Sequence, residues 1–350
     1  MMRVLLLIAF LFFTSNLFAQ KGKVTSALGY KEAGKLDKAL AAMEEAVEAT
    51  NPKTESSINW PRTWEVRGEI YQAVFQSKDE STKKLHADPL AEAFKSYQKA
   101  IELDSKNKFS NSLIIKLKLL IGDFVLQAET AFNAQDYDEA LASFEQILAI
   151  EDIPVFKAES PGQVDTVIIY NAALSAYSAQ KYDKAIKYYK IAAEYKYNGA
   201  QTYERLSESY LSKKDTVGAL EVMQQGLKEY PGNSAILVQL INIYEKGNRL
   251  EEAMKYLNLA ISKEPNNESF YLFRGILFDR MNNPEEAIKS YQKAIELKSS
   301  NFDALFNLGI VYYNLGVKQI DVANSVPSNQ PEKYETEKAK ADLEFKKALP

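Results

Sequence analysis

Tyr182-Asp-Lys-Ala185, Thr216-Val-Gly-Ala219, Leu250-Glu-Glu-Ala253 and Pro284-Glu-Glu-Ala287 are four versions of one segment, and their alanines stand 34 residues apart. Four residues beyond each alanine comes a large apolar residue: Tyr189, Met223, Leu257 and Tyr291. Seven beyond comes a small one: Ala192, Gly226, Ala260 and Ala294. Three columns in register over four periods are an internal repeat, and internal repeats decide a fold before any local motif does.

The upstream half of each unit is equally regular. Twelve residues before the alanine lie Ala173, Ser207 and Gly275, with Ile241 as the exception. Nine before it lie Ala176, Tyr210, Tyr244 and Phe278. Leu305-Phe-Asn-Leu-Gly309-Ile-Val-Tyr312-Tyr313 continues both columns for one more period. Apolar residues three and four apart predict two amphipathic helices per unit. Pro231 and Pro265 end the second helix in two units. Small residues let the paired helices approach, and large ones fill the space between successive pairs.

A 34-residue unit with a small residue and an aromatic in its first helix, alanine in its second and proline near its end resembles the tetratricopeptide repeat family. Ala304-Leu-Phe-Asn-Leu-Gly309-Ile-Val-Tyr-Tyr-Asn-Leu-Gly316 is the nearest single first helix, and the match runs without a gap from Thr166 to Gly316. The resemblance implies an all-α fold, an α-solenoid of tandem helix-turn-helix repeats forming a superhelix. It also implies a binding protein rather than an enzyme.

Upstream the units are looser. Ala27 and Tyr30 precede a second helix from Ala39 to Ala46; Trp64, Gly68 and Tyr71 precede one from Ala93 to Ala100; Phe124 and Ala128 precede Ala140 and Phe144. The extra residues predict a surface loop at about Gln76–Asp88, one long first helix over Ser110–Asn133 and an extended linker over Glu151–Asp165. After Gly316 a polar stretch, Val317–Lys333 with Pro327 and Pro331, reads as an insertion, with helix resuming at Tyr334. Ala341, Phe345 and Ala348 then restore the second-helix columns. Solenoids close with a polar cap and none follows here, so a longer protein is expected. The organisation is thus 1–19, 20–165 irregular repeats, 166–316 regular array, and 317–350 insertion plus the second helix of an uncapped terminal repeat.

Residues 1–19 have the order of a secretory signal: Met1-Met2-Arg3, then unbroken apolar residues from Val4 to Phe13, then Leu17-Phe18-Ala19. That apolar run is shorter than the roughly 20 residues a membrane helix needs. Cleavage after Ala19, export, and a bacterial periplasmic or cell-envelope location are expected, with no membrane span afterwards. The chain has no cysteine, one histidine and a net charge of -4. Thiol chemistry and cysteine metal sites are thereby excluded, and nothing in the charge would steer nucleic acid. No cofactor or metal is expected. Gly29-Tyr-Lys-Glu-Ala-Gly34-Lys35 spells most of a phosphate-binding loop, but Leu36 replaces the magnesium-holding hydroxyl and the segment falls on a repeat turn. Glu251-Glu252 and Glu285-Glu286 sit at helix starts, where carboxylates face exposed amides. His86 reads as a solvated residue of the polar insertion, and Asn267-Glu-Ser269 is a glycosylation sequon by letters alone.

In a solenoid of the resembled kind the first helices line a concave face. Their solvent-directed offsets are Asn171, Arg205, Gln239, Phe273 and Asn307, joined by Glu208 and Asn242 and flanked by Tyr170, Tyr177, Phe306 and Tyr313. Amides suit a peptide backbone and rings suit apolar side chains. Some members of the family grip a C-terminal carboxylate; Asn171, Arg205 and Asn307 keep fragments of that set, but its lysines are missing. The expected partners are proteins or peptides, with an envelope complex among them; a glycan or cell-wall ligand is the alternative reading of the same stripe.

Overall fold

A computed structural model describes residues 21–48, 55–159 and 161–349. The expected signal segment, 1–19, lies outside the described residues. The chain divides into two compact units at Ile191/Ala192.

In the first unit α1 covers residues 21–32. There follow α2 (Leu36–Val47), α3 (Glu55–Ile58), α4 (Pro61–Gln76), α5 (Glu80–Lys83), α6 (Pro89–Leu103), α7 (Ser110–Asn133), α8 (Tyr137–Glu151), α9 (Pro154–Lys157) and α10 (Thr166–Ser178). The division falls within α11 (Tyr182–Glu194). The second unit continues with α12 (Ala200–Ser212), α13 (Thr216–Glu229), α14 (Ser234–Lys246), α15 (Leu250–Lys263), α16 (Glu268–Arg280), α17 (Pro284–Leu297), α18 (Phe302–Asn324) and α19 (Pro331–Ala348). Within each unit successive helices pair, and each pair packs on the next: α4 on α6, α7 on α8, α14 on α15, α15 on α16, α17 on α18. This is the all-helical α-solenoid that the resemblance implied.

Local chemistry sets where the helices begin. Carboxylates or amides of Asp136, Asp165, Asp215, Asn233, Asn283 and Asn301 accept from backbone N–H groups of the first turn that follows. The turn between the two helices has one conformation in six of the repeats. Gly34, Gln135, Gln180, Lys214, Asn248 and Asn282 all have φ between 55° and 71°, and each stands five residues before the column alanine. The glycine of the phosphate-loop look-alike is therefore a repeat turn.

The column residues form the core. Ala39, Ala93, Ala140, Ala185, Ala219, Ala253 and Ala287 are fully buried, with Met43, Tyr97, Phe144, Tyr189, Met223, Leu257 and Tyr291 beside them. Close approach is visible at two first-helix glycines. A Cβ on Gly68 would lie 2.3 Å from Tyr97, and one on Gly275 would lie 2.4 Å from Tyr291.

Four expectations change. The insertion over Gln76–Asp88 holds a short helix, α5, capped by Asp79. His86 within it is not simply solvated: its ring sits edge-on to Tyr71 at 5.0 Å, and its Nδ1 accepts from the Asp88 amide. The stretch after Gly316 is mostly helix, since α18 runs unbroken to Asn324 and only 325–330 form the turn. Packing outweighs polarity there: Gly316 and Ala323 are buried, and Gln319 donates to Glu337 of α19. Likewise α9 interrupts the Glu151–Asp165 linker, while Ser110–Asn133 is the single long helix expected.

Candidate binding clefts

In the second unit Asn242 of α14 and Phe273 of α16 line one open cleft of about 410 Å³. Val238, Ile241, Leu257 and Phe270 supply its apolar wall, and Ser234, Asn267 and Ser269 its polar end. Ser269 and Asn267 are placed by the start of α16, where the Asn267 side chain accepts from the Ser269 amide. The cleft exists because Val238 and Asn242 lie one turn apart and face the next first helix.

The first unit has a counterpart between α7, α8 and α10. Asn171, Leu174 and Ser175 of α10 meet Phe132, Asn133, Glu129 and Phe144 around a pocket of about 310 Å³. Asn171 holds the repeat position that Phe273 holds in the second unit. The Ser175 hydroxyl is fully buried on this pocket and has no hydrogen-bond partner. Buried hydroxyls without partners are uncommon and costly.

The remaining predicted residues have other roles. Arg205 donates to Glu208 at 2.9 Å, so those two charges satisfy each other. Gln239 lies outside the cleft, and its Oε1 is buried without a partner. Tyr170 is buried, edge-on to Tyr189 at 5.4 Å, and Tyr177 stands edge-on to Tyr182 at 5.7 Å. Both rings pack within their own repeat. Phe306 stacks on Phe302 at 5.9 Å and Tyr313 tilts against Phe345 of α19 at 5.5 Å; both rings are still more than half exposed. Asn307 is half-buried on the same helix.

Two features were not anticipated. Lys95–Leu103 and Lys289–Leu297 are the same nine residues, and each faces an Arg-Gly pair in the preceding first helix. Arg67 donates to the Ser96 hydroxyl at 2.8 Å and also pairs with Glu44 and Glu92; Arg274 donates to the Ser290 hydroxyl at 3.1 Å. The repeated nonapeptide was the signal that would have revealed this device. The second is a pocket of about 1030 Å³ where the linker folds back on α8 and α10, lined by Leu148, Glu151, Asp152, Phe156, Asp165 and Tyr188 among others. Burial, then the neighbouring Asp165 and Asp152 carboxylates, push the Glu151 carboxyl up to about 7. Among the described residues no cluster of three His, Asp or Glu is arranged to hold a metal, and no helix is long and apolar enough to cross a membrane.

Family models described as tetratricopeptide repeats match residues 170–234 and 210–275, and one described as a TPR repeat matches 280–316. Among curated proteins, the chain is similar to protein O-mannosyl-transferase TMTC3 of Mus musculus, at 31% identity over 151 residues. It is similar also to the Homo sapiens protein of that name, at 29%. The match takes in 39% of this chain but only 16% of either relative. Among solved structures, a TPR repeats protein from Bacteroides fragilis is 28% identical, with 65% of this chain and 86% of that one covered and a TM-score of 0.34. MamA is 16% identical, with 51% and 92% covered and a TM-score of 0.41. The matched residues, 170–275 and 280–316, fall within the regular array and are similar to tetratricopeptide repeats.

Proposed function

We propose that this chain is a non-catalytic scaffold of the cell envelope that holds extended segments of other proteins against its first helices. Tetratricopeptide repeats are protein-interaction scaffolds, and they bind other proteins or peptides. The observation that carries the reading is the recurring cleft between consecutive first helices: apolar walls, two asparagine amides, open to solvent. Each is sized for a large apolar side chain, with Asn242 or Asn171 placed to pair with the peptide backbone beside it.

Burying one such side chain is worth about 1.5–3 kcal/mol. One cleft therefore holds a ligand weakly, and a segment that fills several sites gains by effective concentration. An extended chain meets that need better than a compact ligand. The envelope location is supported by the order of residues 1–19. The absence of a catalytic role is supported by the sequence, which offers no nucleophile–base–metal set. The transferase activity of the TMTC3 proteins belongs to chains of which this match spans 16%.

Photo-crosslinking from position 273 in intact cells tests the proposal. A crosslinked protein is expected, its yield lost when Val238→Phe fills the cleft. A crosslink to cell-wall glycan instead, or none at all, sinks it.

A further inference from the structure

The cleft of the second unit has a counterpart one repeat upstream, and its chemistry is different. Val238, Asn242 and Phe273 line the cleft between α14 and α16. Thirty-four residues earlier, where α12 meets α14, the same three positions hold Glu204, Glu208 and Gln239. The floor keeps its character: Leu257 and Phe270 become Met223 and Ile236, and all four are buried. One backbone geometry therefore carries an apolar rim in one repeat and an acidic rim in the repeat before it.

The acidic rim is short of positive charge. Arg205 donates to Glu208 at 2.9 Å, which leaves Glu204 over. Glu204 is half-buried and makes no ion pair or hydrogen bond among the described residues. Burial, then the Glu208 charge, push its carboxyl above the ordinary value, and Arg205 offsets them only in part. The Oε1 of Gln239 is buried and has no donor. A carboxylate without a partner and an amide oxygen without a donor are each unfavourable. An ammonium or guanidinium group supplies what both lack, a positive charge and several N–H donors.

The distance between the two rims sets what can fill them together. Packed helices stand about 8–10 Å apart. A chain in the polyproline II conformation rises about 3.1 Å per residue and turns once in three, so residues three apart project from one side at about 9 Å. A β-strand would send residues three apart to opposite faces.

We propose that the groove of the second unit reads two side chains of one extended segment: a large apolar residue in the cleft of Val238 and Phe273, and a lysine or arginine three positions away at Glu204. This rests on the reading of the chain as a holder of extended protein segments, and it adds the chemistry of the segment. An acidic residue at the second place would meet Glu204 and Glu208 and be rejected.

Selection of a displayed library of random peptides on the whole chain tests this. Retained peptides should carry Leu, Ile, Met or Phe with Lys or Arg three positions away, in one constant order. A synthetic peptide of the retained sequence should bind Glu204→Gln about fivefold more weakly or worse. Glu204→Lys should go further and turn the preference at that place to Asp or Glu, with the apolar residue kept. Position 204 is on the rim and not in the core, so thermal melts of both variants should match the parent. Apolar peptides retained with no basic residue at a fixed spacing overturn the inference and leave the scaffold reading standing. A basic preference that survives Glu204→Lys overturns it too, because the cation then sits elsewhere. If no peptide is retained, the inference and the scaffold reading fall together.

Discussion

Gly275 is the sharpest test of how the repeats are packed. Adding one methyl there places a Cβ 2.4 Å from Cε1 of Tyr291, 2.5 Å from Cδ1 and 2.8 Å from Cζ. All three are well inside contact distance. Tyr291 is 1% exposed and lies in the cluster with Ala287 and Val311, so its ring has nowhere to retreat without opening that cluster. Overpacking of this kind costs about 1–3 kcal/mol. Against it, alanine is a better helix former than glycine by about 1 kcal/mol. The expected net change for Gly275→Ala is a loss of about 1 kcal/mol. Gly122→Ala is the control, because a Cβ there meets nothing within 4 Å; it keeps the propensity gain alone and should stabilise. Urea unfolding followed by circular dichroism measures both. In a double-mutant cycle, Gly275→Ala in a Tyr291→Leu background should cost less than it does alone. If Gly275→Ala matches Gly122→Ala, or the cycle shows no coupling, the close-approach argument is wrong.

Two further outcomes follow from local structure. Gly34→Ala should cost about 1 kcal/mol because a left-handed turn penalises a side chain, whereas Gly29→Ala, helical and with open space around it, should stabilise by a similar amount; thermal melts that fail to show opposite signs would refute the turn assignment. Glu151 titrates near 7 in the folded chain and near its ordinary 4.3 when unfolded, so its contribution is intact below about pH 4 and is lost as pH rises through 7. The carboxyl is only half-buried, so screening cuts the effect to about 1 kcal/mol. Glu151→Gln should accordingly gain stability relative to the parent between pH 5 and pH 8, and a pH-independent difference between the two would refute it.

Much of the fold was legible because two helices cannot approach without small residues, and those recur at a fixed distance. Trp64, Gly68 and Tyr71 were readable even across the insertion, since Gly68 meets Tyr97 as Gly275 meets Tyr291. The conformation of the intra-repeat turn was not readable. Its left-handed position is filled by Gly34, Gln135, Gln180, Lys214, Asn248 and Asn282, which share a conformation but no chemistry. The backbone there is set by the helices on either side rather than by the residue. The continuation of α18 was missed for a related reason. Val317–Asn324 reads as polar, and only its contacts with α19 show that the helix is held by its partner.

The candidate site was harder to read because periodicity identifies equivalent positions without fixing their neighbours. Asn171, Arg205, Gln239, Phe273 and Asn307 occupy one column, yet their surroundings differ completely. Arg205 is neutralised by Glu208, three residues along the same helix, and Gln239 has a buried, unpaired oxygen. Phe273 and Asn171 line clefts, because the residues opposite them leave space. A binding position in a repeat array is thus a place where the column is regular and the neighbour is not. The same logic holds on α12, where Glu204 and Glu208 stand in place of the Val238 and Asn242 of the next repeat. Conformity to the repeat builds the solenoid; departure from it, at positions the fold already exposes, is where a partner can be recognised.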